Sequence, residues 1–303
     1  MDIWREIKNT FKHGSVITRL IYVNLAVFLV IRILYVFFYL FKLDINLIEW
    51  LALPSDFSLL LTRPWTLITY MFLHFQFFHI LLNLLWLYWF GKIFLMYFDE
   101  RKLLGTYILG GLTGGILYML AYNIFPAFAE FAKQGMLMGA SASIIAIVIA
   151  AAVYAPNLQV NLLLISSIFG PIKIIWIAVF SILIYFISIA GSNAGGNIAH
   201  IGGALWGFIY MSELKRGKDI TARFNNFLFN LGSLFKRKKK MRVTYRSNPT
   251  QRMNDWEYNK RKKAEKENIN EILDKIGKSG YDSLTKQEKE ILFKMGNNRG
   301  KPN

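Results

Sequence analysis

The residues with the clearest capacity for chemistry are a serine and three histidines at or inside apolar stretches of the chain. Ser141 follows Gly139 and Ala140 at the start of an apolar run that reaches Asn157. If a helix begins there, its unpaired N–H groups and its dipole favour negative charge, which stabilises an alkoxide or an oxyanion. Ser141 is therefore a candidate nucleophile. Small residues at the start of a membrane helix are also typical of close helix packing, and this simpler interpretation stays open.

The histidines supply the candidate base. His13 lies in a polar, basic segment, where we expect it to be solvated. His74, His79 and His200 lie at or inside apolar segments, where an ionisable side chain is by default a functional hypothesis. We predict that His200 takes the proton of Ser141 as general base while the serine attacks a carbonyl carbon. No acidic residue is placed to orient the histidine, so a dyad is predicted and not a triad.

His79 and Asn83 are candidates for a different role. Their spacing of four residues puts both side chains on one face of a helix. Together with the N–H groups near Ser141, they are predicted to hold the oxyanion that forms during attack.

The composition indicates what kind of elements must position these residues. The chain has 303 residues, of which 54% are hydrophobic and 16% aromatic, which is typical of a polytopic membrane protein. It contains no cysteine, which excludes a disulfide framework and thiolate chemistry. From Lys215 onward there are 24 basic and 10 acidic residues, so +14 of the net charge of +17 lies in this tail.

The hydropathy pattern predicts an all-α, six-helix membrane bundle. Five of its segments have the roughly 20 residues that cross a bilayer, and the sixth is short. Positive charge is concentrated in alternate connections, which predicts that both termini are cytoplasmic. The segments are Ile17–Phe41, Phe77–Phe98, Leu103–Ile124, Met136–Tyr154, Ile172–Ala190 and Asn197–Met211.

Two connections on the predicted outer side are unusual. Lys42–Trp65 is long and apolar, which fits either a structure lying in the membrane interface or a hydrophobic loop packed on the bundle. Gly191–Asn197 is rich in glycine and predicts a flexible cap over a site.

This topology brings the polar residues to one depth. Segments two, four and six enter from the outer face, and each carries its polar residues in its first turns. Gly203 and Gly207 give the sixth segment a small-residue stripe for close packing against the fourth. The residues predicted to meet near the outer surface are His79, Asn83, Ser141 and His200.

Other uses of these residues fit the sequence less well. A metal site is the rival use of three histidines, but it lacks nearby carboxylates, and a mixture of His, Asn and Ser is a poor zinc set, so no metal and no cofactor are expected. A proton or ion pathway would need acidic residues inside the segments, where they are almost absent.

The chain divides into four predicted parts. A cytoplasmic N-terminus (1–16) precedes the membrane domain (17–215), which is followed by a basic and largely disordered linker (216–264) and a small helical module (265–303). The basic run Lys236–Lys240 predicts contact with anionic lipid of the inner leaflet, and nucleic-acid binding is not expected. In the module, Gly277 is a plausible end of one helix, and Thr285 with Glu288 predicts a capping box for the next. No candidate reacting group lies in the tail, so the part from about Arg223 is predicted to be dispensable for chemistry.

Three motifs together resemble the signatures of rhomboid intramembrane serine proteases. They are GASA at Gly139–Ala142, HxxxN at His79–Asn83, and the spaced small residues around His200 from Gly195 to Gly207. The resemblance covers about residues 15–215. It implies that Ser141 is the nucleophile, His200 the base, and His79 and Asn83 part of the oxyanion hole. It also implies a bacterial inner-membrane protein that cuts membrane-anchored proteins near the outer end of their transmembrane helix.

The sequence departs from the family pattern at three places. Ala142 stands where glycine usually follows the serine, and Ile145 stands where an aromatic residue often stacks on the base. A Trp-Arg pair of the outer connection is here Trp65 followed by threonine, with Arg63 nearby. The alternative function is that of a non-catalytic relative that binds membrane proteins, although such relatives typically lack the serine or the histidine.

Overall fold

Six apolar helices form the framework of the first of two units. The computed structural model describes residues 3–161, 166, 170–234 and 255–298. The chain divides into Met1–Arg237 and Lys238–Asn303. The framework helices are α2 (Val16–Leu40), α6 (Phe77–Leu95), α7 (Glu100–Ile124), α8 (Ser141–Tyr154), α9 (Ile174–Ile187) and α10 (Ala194–Lys215).

Short elements fill the connections of the first unit. α1 (Ile3–His13) precedes α2, and α11 (Ala222–Leu234) follows α10. α3 (Leu47–Leu51), α4 (Phe57–Thr62) and α5 (Thr66–Thr69) lie between α2 and α6. β1 (Leu53–Pro54) pairs antiparallel with β2 (Met136–Leu137), with Leu53 opposite Leu137, and β3 (Gln159–Val160) pairs antiparallel with β4 (Ile172–Lys173).

Helix α8 is the central element of this unit. All eleven residues from Ala142 to Ala152 are buried, because α6, α7, α9 and α10 pack around it. A helix that is apolar on every face, with alanines that let neighbours approach, suits such a position.

Small residues set the distance between α8 and α10. A Cβ atom added at Gly203 would collide with the carbonyl oxygen of Ala142, and one added at Gly207 would collide with that of Ala146. The two helices therefore pack backbone against backbone along the predicted stripe.

Among the residues that the structure describes, three helices are long and apolar enough to cross a bilayer by themselves: α2, α6 and α7. α8 and α9 are apolar but shorter, and α10 has 22 residues. The boundaries differ from the predicted segments at several points, two of which concern the helices that carry Ser141 and His200. Met136 and Leu137 belong to β2 and not to α8, because they pair with β1. The sixth segment is longer than its hydropathy indicated, because α10 includes Ala194 and its glycine-rich first turn.

The connection from Lys42 to Trp65 is buried on the bundle at some residues and exposed at others. Leu53 is fully buried in a cluster with Tyr70, whereas Leu61 is 84% exposed. Arg63 lies over the ring of Trp50 and donates to the carbonyl of Glu49, and Trp65 donates to the carbonyl of Trp50. The connection is thus folded on the bundle and presents apolar side chains outward.

Two segments for which the sequence predicted no helix are at least partly helical. The N-terminal segment forms α1, and the linker predicted at 216–264 contains α11 and the start of α12 (Asp255–Ser279). Asn225 of α11 is buried against Gly105 of α7, so packing on the bundle stabilises this helix. The basic run Lys236–Lys240 lies outside the described residues.

The second unit is a pair of helices, α12 and α13 (Lys286–Asn298). α12 continues through Gly277 and ends at Ser279. The next residue, Gly280, takes a positive φ of 74°, so the predicted end at Gly277 is wrong by about one turn. The capping box is present, because Glu288 accepts from the N–H of Thr285 at 2.7 Å and donates its own N–H to the Thr285 hydroxyl. The hydrogen bond from Lys275, together with those from Thr285, lowers the pKa of Glu288 to about 2.

Candidate functional site

Ser141 is the first residue of α8, so it lies at the helix N-terminus where unpaired N–H groups are available. Gly139, two residues before Ser141, lets the backbone pass close to the ring of His79. It takes a φ of +122°, a conformation that glycine adopts readily, and a Cβ atom there would lie 2.8 Å from the ring of His79. The N–H of Gly139 donates to the carbonyl of Tyr70 and fixes the entry to the helix.

Ser141 and His200 are in direct contact. The serine Oγ lies 2.6 Å from Nε2 of His200, within hydrogen-bond distance. His200 comes from the second turn of α10, which the glycine packing holds against α8. Its Nδ1 is buried without a hydrogen-bond partner among the described residues, and no carboxylate orients the ring. The geometry is that of a two-residue arrangement, in which the histidine can accept the proton of the serine.

Tyr185 of α9 supplies an aromatic contact to His200. The two ring centroids are 4.3 Å apart, with an angle of 56° between the planes. Ile145, whose position in α8 would carry the expected ring, is buried in the apolar core instead. The sequence could not single out Tyr185, because α9 is apolar throughout and several of its residues are aromatic.

His79 and Asn83 lie on one face of α6, as their spacing indicated, and both line the cavity that contains Ser141. In this structure the Asn83 side chain donates to the carbonyl of His79 at 2.9 Å. This bond uses one of the two N–H groups of the amide, and the other remains available to an oxyanion.

His74 is a further histidine close to the site. It is fully buried, and its Nε2 accepts from the N–H of Ala140 at 3.4 Å. Its ring contacts that of His79 edge-on, with centroids 5.1 Å apart. His74 thus supports the backbone just before Ser141 and the ring of His79. Its place in an apolar stretch was the only sequence signal for this role.

The second serine of the motif lies elsewhere. Ser143 is buried and packs against Gly111 of α7 and does not line the cavity. Two residues of helix rotate a side chain by about 200°, which accounts for the separation from Ser141.

The cavity around the pair has a volume of about 1010 Å³ and lies between α6, α8, α9 and α10. Its lining combines aliphatic and aromatic side chains with a few polar ones and includes no Asp, Glu, Lys or Arg. Ser192 and Asn193 close one side, but the connection predicted to be flexible up to Asn197 is helical from Ala194 onward. Within the described ranges, no group of three or more His, Cys, Asp or Glu side chains could hold a metal ion.

An α-helical membrane domain with a serine and a histidine in contact inside a cavity defines the class of protein. The chain matches the family model of the Rhomboid domain over residues 61–216, which is 156 of its 303 residues. The chain therefore belongs to the rhomboid family, and it is a multi-pass membrane protein.

Two other similarities extend this result. RHOMBOID-like protein 12, mitochondrial, of Arabidopsis thaliana is 28% identical over 166 residues, which cover 52% of this chain and 48% of that protein. The chain thus spans about half the length of this relative. Residues 254–295, which include most of α12 and α13, match a family of unknown function, DUF6576.

Proposed function

We propose that the chain is an intramembrane serine protease that cuts membrane-anchored proteins near the outer end of their transmembrane helix. The single observation that carries the proposal is the contact of 2.6 Å between Ser141 Oγ and His200 Nε2 at the N-terminus of a buried helix. In this mechanism His200 takes the proton of Ser141, and the serine attacks the scissile carbonyl to form a tetrahedral intermediate. The histidine then returns the proton to the leaving amine, and water releases the acyl group by the same steps.

The surroundings of the pair support this chemistry. The oxyanion would meet the N–H groups at the start of α8 and the side chains of His79 and Asn83, all of which face the cavity. The absence of charged side chains from the lining suits an apolar substrate segment, because a buried charge without a partner would oppose its entry.

The proposal extends to topology and partners. We propose six membrane crossings, formed by α2, α6, α7, α8, α9 and α10, with both termini in the cytoplasm of a bacterial cell and the site near the outer face of the inner membrane. The charge asymmetry of the connections supports this orientation. The partners are transmembrane substrates and, at Lys236–Lys240, anionic lipid; no cofactor takes part in the mechanism.

A fluorophosphonate probe tests the proposal without a known substrate. The purified protein in detergent should be labelled at Ser141, and both Ser141→Ala and His200→Ala should remove the label. Ser143→Ala is the matched control, because its hydroxyl is buried without a hydrogen-bond partner among the described residues and does not line the cavity.

The same variants separate the two candidate functions when they are incubated with membrane-anchored reporter proteins. Cleavage by the wild type and by Ser143→Ala, with none by Ser141→Ala, is expected of a protease. A folded wild type that is neither labelled nor active would favour the non-catalytic binding role, and cleavage by Ser141→Ala would refute the assigned nucleophile.

A further inference from the structure

Helix α1 carries an apolar face that the described part of the protein leaves uncovered. Trp4 is 75% exposed, Ile7 42% and Phe11 44%. At about 100° per residue these side chains fall within one narrow stripe of the helix. Ile3 adjoins the stripe on the side of Ile7, and the rest of the circumference is polar. Three basic residues and one acidic residue give the helix a charge of 3 − 1 = +2, with His13 neutral. A strongly amphipathic helix of this kind needs an apolar surface to cover its stripe.

The position of α1 in the chain limits what that surface can be. Only Gly14 and Ser15 separate it from α2, which is long and apolar enough to cross a membrane. Two residues span at most about 7 Å, so the C-terminal end of α1 lies at the membrane boundary where α2 enters.

The chain bends between the two helices and the bend is fixed. Ser15 caps α2 by accepting from the N–H of Thr18, and Arg19 donates to the carbonyls of Phe11 and Lys12. The rings of Phe11 and Tyr22 stack with centroids 6.4 Å apart. In one continuous helix, eleven residues would separate them by about 16 Å along the axis, so α1 does not simply prolong α2.

We infer that α1 is an interfacial helix that lies on an anionic phospholipid surface, with Trp4, Ile7 and Phe11 among the acyl chains. The chemistry of its flank matches that surface. Lys8 and Lys12 border the apolar stripe on the side of Trp4, so their alkyl chains can run along the apolar boundary and their ammonium groups reach lipid phosphates. This inference does not rest on the proteolytic activity.

The absence of cysteine allows a direct test with nitroxide labels on single introduced cysteines in the full chain. Ile7→Cys reports on the apolar stripe, and Asn9→Cys, roughly 200° further round and exposed, is the matched control on the polar face. In vesicles that contain phosphatidylglycerol, the label at position 7 should collide more with oxygen than with a water-soluble nickel complex. The order should be reversed at position 9.

Charge reversal tests the lipid class. Lys8→Glu with Lys12→Glu, added to the Ile7→Cys variant, should raise the nickel accessibility of position 7, and vesicles of phosphatidylcholine alone should do the same. Equal nickel accessibility at positions 7 and 9 would overturn the inference. Low accessibility of position 7 to both oxygen and the nickel complex would also overturn it, because it would mean that protein covers the stripe. If neither charge reversal nor neutral lipid changes the nickel accessibility of the label at position 7, the inferred preference for anionic lipid is wrong.

Discussion

At the scale of single residues, the candidate base is held in place by packing. His200 has no carboxylate partner in the described part of the chain, and its orientation depends on the hydroxyl of Ser141 at one nitrogen and the ring of Tyr185 against its face. Such an arrangement keeps charge out of a buried site, where an unpaired carboxylate would be costly. It also makes the orientation of the base sensitive to a residue that takes no part in proton transfer.

We expect Tyr185→Ala to lower the rate of fluorophosphonate labelling by roughly 2- to 10-fold, because an aromatic contact contributes about 0.5–1.5 kcal/mol. Tyr185→Phe is the matched control and should label at the wild-type rate, since it keeps the ring. Phe186→Ala on the exposed side of α9 should have no effect. Equal rates for Tyr185→Ala and the wild type would show that the ring contact does not orient the base.

In the proposed mechanism Asn83 stabilises charge and takes no part in proton transfer. We expect Asn83→Ala to slow turnover of a membrane substrate by roughly 10²–10³-fold, the usual effect of losing one oxyanion donor. The variant should still react with the fluorophosphonate at Ser141, because both reacting groups remain. A variant that turned over substrate at the wild-type rate would place Asn83 outside the oxyanion hole.

At the scale of elements, the contact between α8 and α10 decides whether the reacting groups meet. Ser141 begins one helix and His200 lies in the second turn of the other, so the separation of the helix axes sets the distance between Oγ and Nε2. Gly203 and Gly207 permit the close approach because their missing side chains face backbone carbonyls.

We expect Gly203→Ala to destabilise the membrane domain by about 1–3 kcal/mol, the usual cost of overpacking, because the new methyl group collides with the carbonyl of Ala142. Labelling of Ser141 should fall as well, since α10 must shift away from α8. Thermal unfolding in detergent and the labelling rate measure the two effects. Leu205→Ala, on the half-exposed side of the same helix, is the control and should affect labelling little. Unchanged stability in Gly203→Ala would mean that the helices can separate without cost.

At the scale of the whole molecule, the described residues that line the cavity all belong to the first unit. α11 belongs to the first unit, because Thr221 and Asn225 are buried and Asn225 fills the space beside Gly105. We therefore expect the part of the tail that is dispensable for chemistry to begin after α11, and not at about Arg223 as the sequence predicted.

We expect a chain that ends at Arg237 to fold and to react with the fluorophosphonate at the full-length rate. A chain that ends at Arg223 should unfold at a lower temperature, because it exposes the surface of α7 that α11 covers. Thermal unfolding and labelling of both truncated chains in detergent give the comparison. Loss of labelling in a folded chain ending at Arg237 would assign the second unit to the active protein.

The proposed topology is tested with reporters that are active on one side of the membrane. A reporter fused after Asn303 should be active in the cytoplasm, and one inserted in the connection between Lys42 and Trp65 should be active outside. A periplasmic signal from the C-terminal fusion would contradict an even number of crossings.

The sequence by itself determined the family, the apolar helices and four of the polar residues that line the cavity. Residue types carry this information because polar groups are rare in membrane helices, so Ser141, His79, Asn83 and His200 stand out against an apolar background. Spacing gave further detail, since four residues place His79 and Asn83 on one face and two residues turn Ser143 away from Ser141.

Only the tertiary structure decided which side chains support these residues. Tyr185 and His74 contact the site from separate parts of the chain. Nothing local distinguishes Tyr185 from the other aromatic residues of α9, and the position of His74 in an apolar stretch did not indicate what it contacts. Partners distant in the chain also matter for two helices. β1 pairs with the residues just before α8, and α7 packs against α11. Hydropathy reports how a segment partitions between water and lipid. Pairing and burial depend on which segments meet, and that is a property of the folded chain.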